Sequence, residues 1–223
     1  LFLELVLSVV IAGTVKFLSD DLNIFSILFF RYLLSLPLLL VYGLYIHGSS
    51  VFLIRQKGVM LARISFGLIG LSCWYLTVIY LTLSVATVLL QTVPIFITIF
   101  APIMTSEKVG IRRFFAVIIG FLGVIILIDP TLDGSFAYSG IGLLFGIGAT
   151  VFGALMFITL RMLGTRDSPI PTALWYNFVG TIIFGCLAGF SNGASTLEII
   201  ADEGLWLMLV FVGISASFQQ YLM

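Results

Sequence analysis

The stretch ISFGLIGLSCWYLTVIYLTLSVATVLLQTVPIFITIFAPIMTS, Ile64 to Ser106, carries no Asp, Glu, Lys, Arg or His across about 43 residues. A helix needs roughly 20 apolar residues to cross a bilayer. One crossing leaves the run half used. Its length therefore predicts two antiparallel spans, about 62–80 and 84–104, turning at Leu81-Thr82-Leu83-Ser84. No water-soluble domain accommodates so long an uncharged segment, and the chain is read as an all-α polytopic membrane protein.

Composition points the same way: the chain is 61% hydrophobic and 9% charged, against soluble averages of roughly 45–50% and 25%. A formal net charge of zero gives no electrostatic ground for a nucleic-acid partner. Cys73 and Cys186 fall mid-span and read as small apolar residues. On either side of the opening stretch the spans follow in order. The first ends near Leu18 and holds Glu4, and a polar turn at Asp20-Asp21 precedes a second span of about 24–46 that contains Arg31 and Pro37. After Ser106 come spans at about 111–128, 139–160 and 172–190, and an eighth begins near Gly204. The chain opens on Leu1 and stops at Met223 within an apolar run, so a fragment is expected.

Charge alternates from one connector to the next. One set holds Arg55, Lys57, Arg63, Lys108, Arg112, Arg113, Arg161 and Arg166; the other holds Asp20, Asp21, Asp129, Asp133, Glu198, Asp202 and Glu203, with Lys16 its only nearby base. Lys and Arg are retained on the cytoplasmic side during insertion. The basic set, and with it the N-terminus, is expected there.

A long-period repeat is suggested. Phe29-Phe30-Arg31-Tyr32 resembles Trp175-Tyr176-Asn177-Phe178 at an offset of about 146, and Gly70-Leu71-Ser72 resembles Gly213-Ile214-Ser215 at about 143. Five spans per copy is an odd number, so the copies would enter the membrane from opposite sides, as in many secondary transporters. The run Ala86-Thr87-Val88-Leu89-Leu90-Gln91-Thr92-Val93-Pro94-Ile95-Phe96, followed by Glu107-Lys108 and Gly120-Phe121-Leu122-Gly123-Val124, is similar to the fourth and fifth spans of EamA-like members of the drug/metabolite transporter superfamily. Arg31 matches that family's habit of an arginine early in span two. The resemblance implies ten spans in two inverted five-helix repeats around a central cavity. On that division residues 1–130 form the first repeat and 131–223 a second, truncated after its third helix.

Candidate cavity residues follow from polarity inside spans. Span four presents Ser84, Thr87, Gln91, Pro94, Thr98, Pro102 and Thr105 at spacings of three and four, one face of a helix. Pro94 and Pro102 each free an upstream carbonyl and are read as hinges. The hydroxyls suit either a cavity wall or a helix seam, whereas the Gln91 amide has more hydrogen-bonding capacity to satisfy. Arg31 lies about 10 Å inside span two, either as a solute contact or snorkelling to the headgroups beside Asp20 or Asp21. Trp74, Tyr75, Tyr80, Trp175 and Tyr176 suit either a pocket for planar or cationic solutes or interfacial anchoring and packing. Asn177, Gln219 and Gln220 complete the candidate set. Gly142 and Gly146 form a Gly-x-x-x-Gly packing face; without a preceding strand the glycines of this region are no phosphate loop.

The expected function is secondary transport of small organic solutes or metabolites by alternating access, not catalysis. The rivals are an intramembrane enzyme acting on lipid-linked substrates and a structural membrane protein with no solute path. No catalytic residues, metal or cofactor are expected. The partners expected are a small-molecule solute and bilayer lipid, with a homodimer left open, and the expected location is a bacterial inner membrane. Glu4, the one carboxylate well inside a span, is the group through which proton coupling would run.

Overall fold

A computed structural model describes residues 2–19, 21–105, 115, 117–120, 122–123, 140–192 and 203–222. Among the described residues the main helices follow in order: α1 (Phe2–Leu18), α2 (Ile24–His47), α3 (Lys57–Tyr80), α4 (Leu83–Leu90), α5 (Val93–Thr105), α6 (Gly140–Leu163), α7 (Pro169–Asn192) and α8 (Glu203–Leu222). A short 3-10 helix, Gly48–Phe52, follows α2. Among the described residues five segments are long and apolar enough to cross a membrane: Ile24–Phe52, Lys57–Tyr80, Leu83–Thr105, Gly140–Leu163 and Pro169–Phe190; Val6–Leu18 and Gly204–Gln219 are shorter apolar helices. The chain is an all-α polytopic membrane protein. The expected span at about 111–128 falls largely outside the described residues, as do Glu107-Lys108, the Asp129–Tyr138 connector and the repeat boundary at 130/131. Span three starts earlier than hydropathy suggested, at Lys57 rather than near 62.

Local chemistry sets the ends of these helices. The Asn23 side chain accepts the Phe25 N–H at 3.1 Å and caps α2. Gly48 ends the same helix at φ +55°, a conformation glycine adopts without penalty, and donates its N–H to the Leu44 carbonyl. Pro169 opens α7, where a missing N–H costs nothing. Between α4 and α5 the helix breaks at Gln91-Thr92, three residues from Pro94, and the Thr92 hydroxyl bonds back to the Leu89 carbonyl at 2.6 Å.

The chain packs as two compact units, residues 1–64 with 163–223, and residues 65–162. In the first, α2 is the central helix. It lies along α7 and α8, and α1 lies against α8. Phe29 sits over Gly185, Tyr32 over Gly180, Ser35 bonds Asn177, and Gly43 meets Ile170. As one partner's number rises the other's falls, so α2 and α7 run antiparallel. Leu39, Val51, Ala173 and Leu174 form a buried cluster at one end of this seam, with Leu36, Leu40 and Ile170 packed against it.

The second unit is built on glycine. A Cβ placed on Gly142 would stand 2.8 Å from Leu81 side-chain carbons, and one on Gly146 would stand 2.6 Å from Leu89 Cδ1. Gly70 faces the backbone of Phe152 and Gly153, at 3.2–3.3 Å from a Cβ position. Such close approach gives helices van der Waals contact where lipid supplies no hydrophobic drive for association. Outward faces in both units are apolar, among them Val41, Leu61, Leu144, Phe190 and Leu207, all exposed. That distribution suits acyl chains and would be a liability in water.

Candidate functional site

Polar groups gather inside the first unit where α2 meets α7. The Tyr32 hydroxyl donates to the Tyr176 hydroxyl at 2.9 Å, and the two rings meet edge to face with centroids 5.5 Å apart. One turn further along, the Ser35 hydroxyl donates to Asn177 Oδ1 at 2.6 Å, while Asn177 Nδ2 donates to the Ala173 carbonyl at 2.7 Å. From α8, the Ser217 hydroxyl lies 3.4 Å from the Ser35 carbonyl. Ser35 is about 16 Å from the start of α2 at 1.5 Å per residue, close to the middle of a hydrocarbon layer roughly 30 Å thick. Hydrogen bonds at that depth have no competition from bulk water.

Two arginines stand on this tyrosine pair. Arg31 of α2 places its guanidinium carbon 5.0 Å from the centroid of the Tyr32 ring, and Arg63 of α3 places its own 5.3 Å from that of Tyr176. Each arginine is only 6% exposed. An aromatic face attracts a cation through its quadrupole, and more strongly when water is absent. The Nε and Nη1 atoms of Arg63 are buried and meet no hydrogen-bond partner among the described residues. The sequence places Arg63 at the mouth of span three. Because α3 starts at Lys57, it lies about 9 Å inside the helix at 1.5 Å per residue.

The structure therefore brings together Arg31, Tyr176 and Asn177 of the expected set and adds Tyr32, Ser35, Arg63 and Ser217. Gln219 belongs to the same unit but turns toward α1, where its amide donates to the Ser8 hydroxyl at 2.7 Å. The Gln220 side chain lies outside what is described. Trp74, Tyr75 and Gln91 belong to the second unit: Tyr75 is buried, Trp74 half-buried, and Gln91 exposed at the α4–α5 break. The span-four hydroxyls turn back on their own helix, Thr87 to the Ser84 carbonyl, Thr98 to that of Pro94 and Thr105 to that of Ala101. Among the described residues no group of three or more His, Cys, Asp or Glu converges as a metal site requires.

At the end of the unit where α2 passes into α3, the connector between α6 and α7 folds against the chain before α3. The Asp167 carboxylate accepts the N–H of Arg55 at 2.8 Å and of Gln56 at 3.1 Å, one on each oxygen. Two connectors of the basic set thus meet at one end. Nearby, Trp175 Nε1 donates to the Phe52 carbonyl at 3.1 Å.

The model of the EamA-like transporter family matches residues 2–129, more than half of the chain. This chain belongs to the EamA-like transporter family. Curated relatives of this EamA-like chain include a riboflavin transporter of Vibrio cholerae, 27% identical over 75% of the chain and 53% of the relative. A pseudopaline exporter of Pseudomonas aeruginosa is 27% identical over 78% of the chain and 60% of the relative. An S-adenosylmethionine uptake transporter of Rickettsia felis is 25% identical over 88% of the chain and 63% of the relative. The EamA-like chain thus spans between half and two thirds of the length of these three. No solved structure matches it.

Proposed function

We propose that this EamA-like protein is a secondary transporter, not an enzyme, carrying small organic solutes across a bacterial inner membrane by alternating access. One observation carries the reading: a hydrogen-bonded polar seam with two buried arginines lies between helices long enough to span a bilayer. Charged groups inside spans are costly and mark solute or ion paths by default. The relatives are named for transport of chemically unlike compounds, which supports small solutes as a class.

The architecture we propose is a pair of inverted repeats, with α2 and α7 as corresponding helices. Two helices related by a two-fold axis in the membrane plane run antiparallel and touch at residues separated by about the repeat offset. Tyr32 and Tyr176 are 144 residues apart, and Ser35 and Asn177 are 142 apart. These separations lie close to the 143–146 offset of the sequence repeats. The basic connectors joined by Asp167 are assigned to the cytoplasmic side, and the N-terminus with them.

Reconstitution into proteoliposomes tests this. A panel of radiolabelled amino acids, nucleosides, sugars, carboxylates and phosphate esters should include a solute that accumulates inside, with counterflow on preloading. Cysteines placed beside Ser35 and Asn177 should become accessible from one side at a time. Accumulation of no solute, or simultaneous labelling from both sides, would refute the reading.

A further inference from the structure

We infer that the transported solute bears an oxyanion, a carboxylate or a phosphate, and that Arg63 is the group that binds it. This rests on the transporter reading above and adds the chemistry of its site. Arg63 is 6% exposed, with Nε and Nη1 buried and meeting no hydrogen-bond partner among the described residues. Snorkelling would put that head in water or among headgroups, and its burial says otherwise. The Tyr176 ring at 5.3 Å offsets part of the desolvation cost, but a ring face offers no lone pairs to a fork of five N–H donors. A buried cation whose N–H groups lack partners calls for a counter-charge.

The described carboxylates of this unit do not supply it. Asp21 is exposed in the turn before α2, and Asp167 spends both oxygens on the N–H groups of Arg55 and Gln56. The planar guanidinium matches a carboxylate or phosphate in two parallel hydrogen bonds, a geometry that an ammonium does not reproduce. The Tyr32–Tyr176 hydroxyl pair and the Ser35–Asn177 pair lie on the same seam and supply neutral polar groups for the rest of the solute.

The test measures binding to the purified protein in detergent by the rise in apparent melting temperature and by calorimetry. The probes are citrate for carboxylates, glycerol 3-phosphate for soluble phosphates and phosphatidylglycerol for lipid headgroups, each against sodium chloride at equal ionic strength and against neutral glycerol. We expect citrate or glycerol 3-phosphate to stabilise the parent. Arg63→Gln should weaken that binding by about ten- to a hundredfold, the range for losing hydrogen bonds to a charged group. Arg166→Gln, which removes an exposed charge, should leave it unchanged. If Arg63→Gln does not fold, Arg63→Lys keeps the charge without the fork, and its affinity should still fall.

A parent that responds to neither soluble anion, or to phosphatidylglycerol alone, overturns the inference; so does undiminished binding in a folded Arg63→Gln or Arg63→Lys. Uptake assays separate this failure from that of the transporter reading. Accumulation of only neutral or cationic solutes removes the anion site and leaves a transporter. Anion binding lost in the Arg63 variants, with no uptake of any solute, keeps the site and removes the transporter.

Discussion

Replacing Gly180 by alanine tests the α2–α7 seam on which the tyrosine pair depends. A Cβ at Gly180 would stand 2.9 Å from Tyr32 Cδ1 and 3.0 Å from both Cδ2 and Cε1, closer than carbon atoms pack. The ring has nowhere to go. Tyr32 is fully buried, lies parallel to Phe184 at 5.6 Å and is tied through its hydroxyl to Tyr176. Overpacking of this kind costs about 1–3 kcal/mol, while alanine in place of glycine within a helix contributes about 0.5–1 kcal/mol in the other direction. The net loss expected is about 0.5–2 kcal/mol, or about 2–6 °C in apparent melting temperature for a chain of this size.

Gly189→Ala is the matched control, because nothing lies within 4 Å of a Cβ there; it should melt at or slightly above the parent. Thermal unfolding in one detergent, followed by tryptophan fluorescence, compares the two directly. In a Tyr32→Ala background the cost of Gly180→Ala should vanish, since the clash has a single partner side chain. Gly180→Ala melting at or above the parent, or together with Gly189→Ala, refutes the packing argument.

Gly213→Ala should destabilise more than Gly146→Ala, as read by the same melting assay. At Gly213 the obstacle is Leu34 Cβ at 2.5 Å, which no rotamer moves, whereas at Gly146 it is Leu89 Cδ1 at 2.6 Å, the far end of a flexible chain. Asn177→Ala removes the acceptor of the Ser35 hydroxyl and a donor to the Ala173 carbonyl; a loss of about 1–3 kcal/mol in denaturant unfolding is expected, together with impaired solute binding. Asp167→Ala should cost about 1–2 kcal/mol by analogy with lost helix caps, detectable as faster hydrogen exchange at Arg55 and Gln56.

The membrane architecture was legible because apolar length is a one-dimensional property. Ile64–Ser106 contains no charge, and a bilayer crossing has a fixed length. The site was legible only in part. Arg31 and Asn177 stood out as polar groups well inside apolar runs, and the structure places both beside the tyrosine pair. Arg63 was lost to the same rule that found the spans. Starting the span at about residue 62 instead of Lys57 left Arg63 at a helix mouth, although it lies nearly two turns inside. Ser35 and Ser217 carried no signal, since serines are common in helix seams, and their partners are 142 and 182 residues away. Gln91 had the strongest claim by hydrogen-bonding capacity, and it is exposed where α4 ends, in the second unit.

The carboxylate of Asp167 grips main chain, and main chain is the same whatever residue carries it. Arg55 and Gln56 could therefore drift to almost any other amino acid across related proteins without loosening this join. Proline alone is barred from both places, for want of a hydrogen to give. The mark such a fastening leaves on a lineage would be one steady aspartate facing two restless positions that never become proline.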